Sequence, residues 1–144
     1  MKSKLLVATE SEKTWAIIFE TGDEAMAGLL AFAEKESISS AHFTAIGAFS
    51  RAVLGYFDWE TKQYLRIPVD EQAEVVTLMG DIAVEDGKPK VHAHAALAKR
   101  GGVTVAGHFI EGHVRPTLEV MLSRTPATLE RKFDPASGIA LIQI

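Results

Sequence analysis

The chain has 144 residues, 47% of them apolar, which suffices for one well-packed domain spanning 1–144 and is too little for two. Its net charge of −4 and pI near 5.7 argue against strong nonspecific nucleic-acid binding, because neutralising phosphates requires clustered Lys and Arg. There is no Cys, which excludes disulfides, thiolate nucleophiles and thiolate metal ligands and leaves His, carboxylate and water as possible donors to a metal.

The first segment, Met1 to Thr9, has too short an apolar run for a signal peptide, and no segment approaches the roughly twenty apolar residues of a membrane helix. A soluble cytoplasmic protein is therefore expected. Leu5–Ala8 and Thr14–Phe19 read as two opening strands across a polar turn. Asp23 then offers an N-cap, and Met26, Leu29, Leu30 and Ala33 recur at helical spacing, predicting an amphipathic helix that ends near Ser37. Further strands are expected at Ala41–Ile46, Ala52–Asp58, Gln63–Val69, Glu74–Val84, Lys90–Ala98, Val103–Ile110, Thr117–Ser123 and Ile139–Gln143. Arg124 to Asp134, with Pro126 near its start, is read as a short second helix. The short basic clusters Lys88-Pro89-Lys90, Lys99-Arg100 and Arg131-Lys132 read as solvated turns. The fold class that results is α/β of the α+β kind, a mostly antiparallel sheet with one main helix.

Three histidines carry the chemistry. In an extended segment residues i and i+2 share a face, so His92 and His94 of Val91-His92-Ala93-His94-Ala95 point the same way. Lys99-Arg100-Gly101-Gly102-Val103 reads as a hairpin with a three-residue loop, its ends Lys99 and Val103 facing each other. Counting back along both arms pairs Ala96 with Ala106 and His94 with His108, which gathers all three imidazoles on one face. A loop one residue longer or shorter would turn His108 to the other face. Neutral imidazoles suit zinc, copper, iron or nickel, and three protein ligands leave a fourth position open. The plainer reading is three histidines that merely sit on adjacent strands. His42 and His113 match no ligand spacing, although His113 follows closely enough to support the ligands from behind.

No Gly-x-Gly-x-x-Gly or Gly-Lys-Ser/Thr loop supports a nucleotide fold, and no Gly-x-Ser-x-Gly elbow supports a serine hydrolase. A cupin is the rival for the metal site, since Gly87 and His92-x-His94 are similar to its first motif. It lacks the Glu four residues beyond the second His and the Gly-rich second motif.

Ile46-Gly47-Ala48-Phe49-Ser50, Leu54-Gly55-Tyr56-Phe57, Glu74 through Ala83, Val91-His92-Ala93-His94 and Gly107-His108, in this order, resemble the plants and prokaryotes conserved (PPC) domain. Thr117-Leu118-Glu119-Val120 and Leu129-Glu130-Arg131 extend the resemblance over essentially the whole chain. It implies a mostly antiparallel sheet, a homotrimer, and a divalent metal, often zinc, held by His92, His94 and His108. In plants the domain accompanies an AT-hook, a short basic segment that enters the minor groove, and prokaryotic members carry a DNA-binding label by that association. This chain has no such segment. The plant hexapeptide Gly-Arg-Phe-Glu-Ile-Leu aligns with Glu71-Gln72-Ala73-Glu74-Val75-Val76, which keeps the Glu and the apolar pair but lacks the Gly, Arg and Phe. Ala106 stands where relatives often have Gly.

Two functional classes follow. One is a homotrimeric metal-containing binding or regulatory module whose metal sits near a subunit boundary and either stabilises the assembly or reports a small-molecule ligand. The other is a metal-dependent enzyme acting on a small molecule, whose ion polarises a carbonyl or lowers the pKa of bound water. For the enzyme, Glu119 as base and Arg115 as anion holder are the candidates, with an ion pair at a strand edge or interface as their structural alternative. The strand Glu74–Val84 is a candidate for the contact between subunits.

Overall fold

A computed structural model describes residues 1–144 and shows nine strands and one helix. In chain order they are β1 (Lys2–Ala8), β2 (Lys13–Glu20), α1 (Ala25–Lys35), β3 (Ser40–Asp58), β4 (Gln63–Val69), β5 (Ala73–Glu85), β6 (Lys88–Ala98), β7 (Thr104–Arg124), β8 (Glu130–Asp134) and β9 (Ile139–Gln143). All pairings are antiparallel except a single parallel bridge between Val84 of β5 and Glu130 of β8. The mostly antiparallel α+β architecture is as the sequence predicts.

Two strands expected as four turn out to be continuous. Gly47 and the stretch from Glu111 to Pro116 look like breaks, yet β3 and β7 run through them and absorb the irregularity as register shifts between Gly47 and Phe49 and between Phe49 and Arg51. Bulges of this kind bend a strand without ending its pairing. The bends let β3 serve several neighbours: its first half lies between β5 and β7, and its second half between β4 and β7. The start of β7 pairs in turn with β6, and β6 pairs with β5, so β3, β5, β6 and β7 close on themselves.

The closed sheet surrounds the core. Trp15, Ile17 and Phe19 of β2, Phe43 and Phe49 of β3, Leu78 and Ile82 of β5, Leu97 of β6 and Leu118, Val120 and Leu122 of β7 are all buried in one cluster. Burial of these side chains away from water drives the assembly, at about 1.5–3 kcal/mol for each large apolar group. The helix covers the cluster with Leu29, Phe32 and Ala33. Its N-cap is Glu24, one residue later than the expected Asp23. The Asp23 carboxylate accepts from the Glu20 N–H at 2.8 Å instead, while Glu24 accepts from the N–H groups of Met26 and Ala27 and of Gly112 on β7.

The short second helix expected over Arg124–Asp134 is not formed. Glu130–Asp134 is strand β8, held in a hairpin with β9 in the register Glu130 to Gln143 through Asp134 to Ile139. Nor is β5 available as an edge for another subunit, because β3 and β6 occupy both its sides.

Candidate metal centre

Along β6 the side chains alternate strictly: Val91, Ala93, Ala95 and Leu97 are buried in the core, which turns His92, His94, Ala96 and Ala98 to the opposite face. The hairpin that follows has the expected register. The Lys99 N–H donates to the Val103 carbonyl at 2.8 Å, His94 faces His108, and Ala96 faces Ala106. Two glycines bring the strands close enough. A Cβ on Gly107 would lie 2.6 Å from the Gly55 carbonyl oxygen, and one on Gly80 would strike the His92 carbonyl oxygen and the Phe43 ring.

The three imidazoles therefore form a nearly equilateral cluster, with ring centroids 5.2, 5.2 and 5.4 Å apart. One ring nitrogen from each lies within 4.8 Å of the others. An ion bound at 2.0–2.1 Å to each would need nitrogens about 3.3 Å apart, a closure of at most about 1.5 Å that side-chain torsions supply. His94 is exposed, whereas His92 and His108 are half-buried.

The electrostatics suit a cation. Burial, and then the neighbouring His92, His94 and Lys90, push the His108 imidazole down to about 4. Burial and His92 lower His94 as well. Both are thus held in the neutral form that a metal requires. The Nδ1 atom of His108 is buried without any hydrogen-bond partner, an expense of about 1–3 kcal/mol for a polar group removed from water. Three imidazoles, each with a ring nitrogen within 4.8 Å of the others and two of them favoured in the neutral form, are a donor set that fits a divalent ion.

Support behind the ligands comes from elements far apart in the chain. Tyr64 of β4 stacks on His108 with ring centroids 4.4 Å apart. The Asp81 carboxylate of β5 lies 3.7 Å from His92 Nδ1 and accepts from Arg131 Nη2 of β8 at 2.5 Å. Burial pushes the Asp81 carboxyl up, but His92 and Arg131 together outweigh it and hold the group below its ordinary range. A carboxylate behind a ligand imidazole fixes the ring's orientation and raises its basicity. Arg131 itself is only 7% exposed, a departure from the solvated turn expected of Arg131-Lys132. Neither Asp81 nor Arg131 was among the sequence-level candidates. Asp81 had a signal, because it is three residues from Leu78 on a strand whose alternation sends 79 and 81 to the histidine face; Arg131 had none.

Glu119 and Arg115 lie elsewhere. Glu119 is exposed on β7 opposite Ile46, whereas His108 is opposite Gly55, nine positions further along β3. Arg115 donates to Gln72 Oε1 at 3.0 Å. His113 contacts Glu111 and Arg51 rather than the histidine cluster. His42 faces Asp81 across the β3–β5 ladder.

Comparison with known proteins places the fold. The Plants and Prokaryotes Conserved (PCC) domain matches residues 7–126. The chain belongs to this family. Among solved PCC-type structures, the plant- and prokaryote-conserved protein of Pyrococcus horikoshii is 30% identical, covering 99% of this chain and 95% of that one with a TM-score of 0.86. A metal-containing protein from Archaeoglobus fulgidus is 31% identical over the whole of both chains, with a TM-score of 0.87. A candidate DNA-binding protein from Ralstonia eutropha is 27% identical over 90% of each chain, with a TM-score of 0.85. No curated protein matches the chain. No helix of this PCC domain is long and apolar enough to cross a membrane.

Proposed function

We propose that this PCC-domain protein is a homotrimeric metal-containing binding module in which His92, His94 and His108 hold one divalent ion, zinc being the candidate among the ions that neutral imidazoles suit. The observation that carries the reading is the convergence of three imidazoles, two of them favoured in the neutral form, each with a ring nitrogen within 4.8 Å of the others. The Archaeoglobus relative, described as metal-containing, supports it. The trimer is supported by an uncovered apolar face: Ile46, Met79 and Met121, on adjacent strands of the outer sheet surface, are 61%, 54% and 52% exposed. An apolar patch of this kind on a sheet is normally covered by a partner. DNA binding rests on the family association carried by the Ralstonia relative and receives no support from the net charge of −4.

A cavity of about 680 Å³ next to His92 and His108 favours a second reading, a metal-dependent enzyme acting on a small molecule. In that case Glu119 and Arg115 act only if a neighbouring subunit presents them, since within one chain they stand apart from the histidines. The test is elemental mass spectrometry with light scattering on the wild type and on the His92→Ala/His94→Ala variant. One zinc or similar ion per chain in a trimer, lost in the variant, is expected. A metal-free trimer would overturn the metal centre, and a metal-containing monomer would overturn the assembly.

A further inference from the structure

The cavity beside the histidines has a composition that specifies its occupant. Its floor is His92, His108 and Tyr64; its far wall is the β8–β9 hairpin, which contributes Arg131, Phe133, Ile139 and Leu141. That hairpin lies wholly beyond residues 7–126, the part of the chain that defines the family.

Charge comes first. Three neutral imidazoles leave a bound divalent ion with its full charge, and the carboxylate closest to them, Asp81, is already engaged by Arg131 and His92. Lys90, Arg131 and Lys132 line the same cavity against Glu85 and Asp86. Lys90 and Lys132 reach their carboxylate neighbours only at 3.9 and 3.8 Å, so neither ammonium is firmly held. The Arg131 Nε atom is buried without a hydrogen-bond partner, within a side chain more than nine-tenths buried. The site is therefore short of negative charge and of acceptors.

Apolar surface comes second. Phe133 is 66% exposed and shares the Arg131 face of the hairpin with its cross-strand partner Ala140, both lining the cavity. Exposed aromatic and aliphatic groups bordering a cluster of cations describe a receptor for a molecule with one charged end and one greasy one.

Building on the metal-centre reading, we infer that this cavity binds a small organic carboxylate with an apolar body, its oxygen atoms directed to the ion and the Lys90–Arg131 side, its body laid against Phe133 and Ala140. A volume of about 680 Å³ lies in the range of metabolite-sized ligands. The β8–β9 hairpin is then the element that sets which carboxylate is taken.

The test uses the full chain loaded with cobalt(II), whose visible absorption reports ligands entering the coordination sphere, titrated with 3-phenylpropanoate, acetate and 3-phenylpropanamide. 3-Phenylpropanoate is expected to shift the spectrum with a Kd at least tenfold below that of acetate, which lacks the body, and of the amide, which lacks the charge. Phe133→Ala, at an exposed position that leaves the core intact, should bring 3-phenylpropanoate to within about threefold of acetate while leaving cobalt uptake unchanged. Equal responses to all three probes on a cobalt-loaded protein would overturn the inference and leave the metal centre standing. A preference for 3-phenylpropanoate that survives Phe133→Ala undiminished would remove the hairpin from it. Failure to take up cobalt at all would overturn both readings, and is told apart by the missing cobalt spectrum.

Discussion

Of the three clustered histidines, His108 has the most constraining surroundings. It is packed under Tyr64, set between two other imidazoles and left with a bare nitrogen, so its proton is expelled at a pH where an ordinary histidine would keep it. Protons compete with a metal for the same lone pair, and a ligand held near 4 instead of 6.5 delays that competition. The sign is fixed by the direction of the shift: a histidine depressed in the folded state favours folding above its ordinary value and loses that contribution as pH falls through its folded one. Metal release followed by a chromophoric chelator should therefore centre below 6.5, with His94, lowered for the same reasons, moving it the same way. Removing the ligands one at a time gives the complementary test. His94→Ala should weaken zinc binding at least a hundredfold in a competition titration, while His113→Ala, whose ring answers to Glu111 and Arg51, should change it less than threefold. Asp81→Asn should lie between them, at about 10–100-fold, because it removes the group that orients His92 rather than a ligand. It should also destabilise the apo-protein by about 1.5–3 kcal/mol in urea unfolding, since the buried Arg131 guanidinium loses its charged partner.

Among the elements, the β6–β7 hairpin was the most legible in the sequence. Its register depends only on a five-residue local pattern, and that pattern puts His94 opposite His108 whatever the rest of the chain does. The helix was legible for the same reason, through the spacing of Met26, Leu29, Leu30 and Ala33. The elements that were misread take their form from distant partners. Glu130–Asp134 has no strand alternation of its own and is extended because β9 and Val84 pair with it. β3 and β7 pass through glycines and a proline that would end an isolated strand, because neighbours on both sides hold them. Tyr64, Asp81 and Arg131 reach the histidines only through those pairings, which is why the clustering of the histidines could be read and most of what surrounds them could not. Close strand approach is a property of this scale as well. Gly107→Val would drive a side chain into the Gly55 carbonyl and is expected to cost about 1–3 kcal/mol in urea unfolding, with zinc affinity falling as β7 is displaced from β3.

At the scale of the molecule, α1 covers the core side of the closed sheet, while the outer surface keeps an apolar patch uncovered beside the part bordered by the β8–β9 hairpin. Thr44 of β3 sits between Met79 and Met121 in the strand register, and Ile46 follows on the same face, so the exposed apolar groups are contiguous rather than scattered. Closure pairs both sides of β5, while β1, β4 and β9 each keep one free edge, so the apolar face at Met79 and Met121 is the contact to test rather than strand addition. Met79→Glu combined with Met121→Glu should give a monomer by light scattering without loss of the far-ultraviolet β signal. Because Met79 is directly opposite His94, the same variant should alter zinc affinity if the bare face and the histidines belong to one assembled surface.

The β8–β9 hairpin is joined to the rest of the sheet by one bridge, at Val84, by the Val84 N–H donating to the Leu129 carbonyl, and by the Arg131–Asp81 pair. All three histidines, by contrast, lie within a single stretch from 92 to 108. The histidine cluster and the hairpin that borders its cavity are thus encoded in separate parts of the chain and can vary independently. Descendants of one ancestral centre could exchange the last fifteen residues and acquire new chemical tastes, provided an arginine is kept where Asp81 expects it.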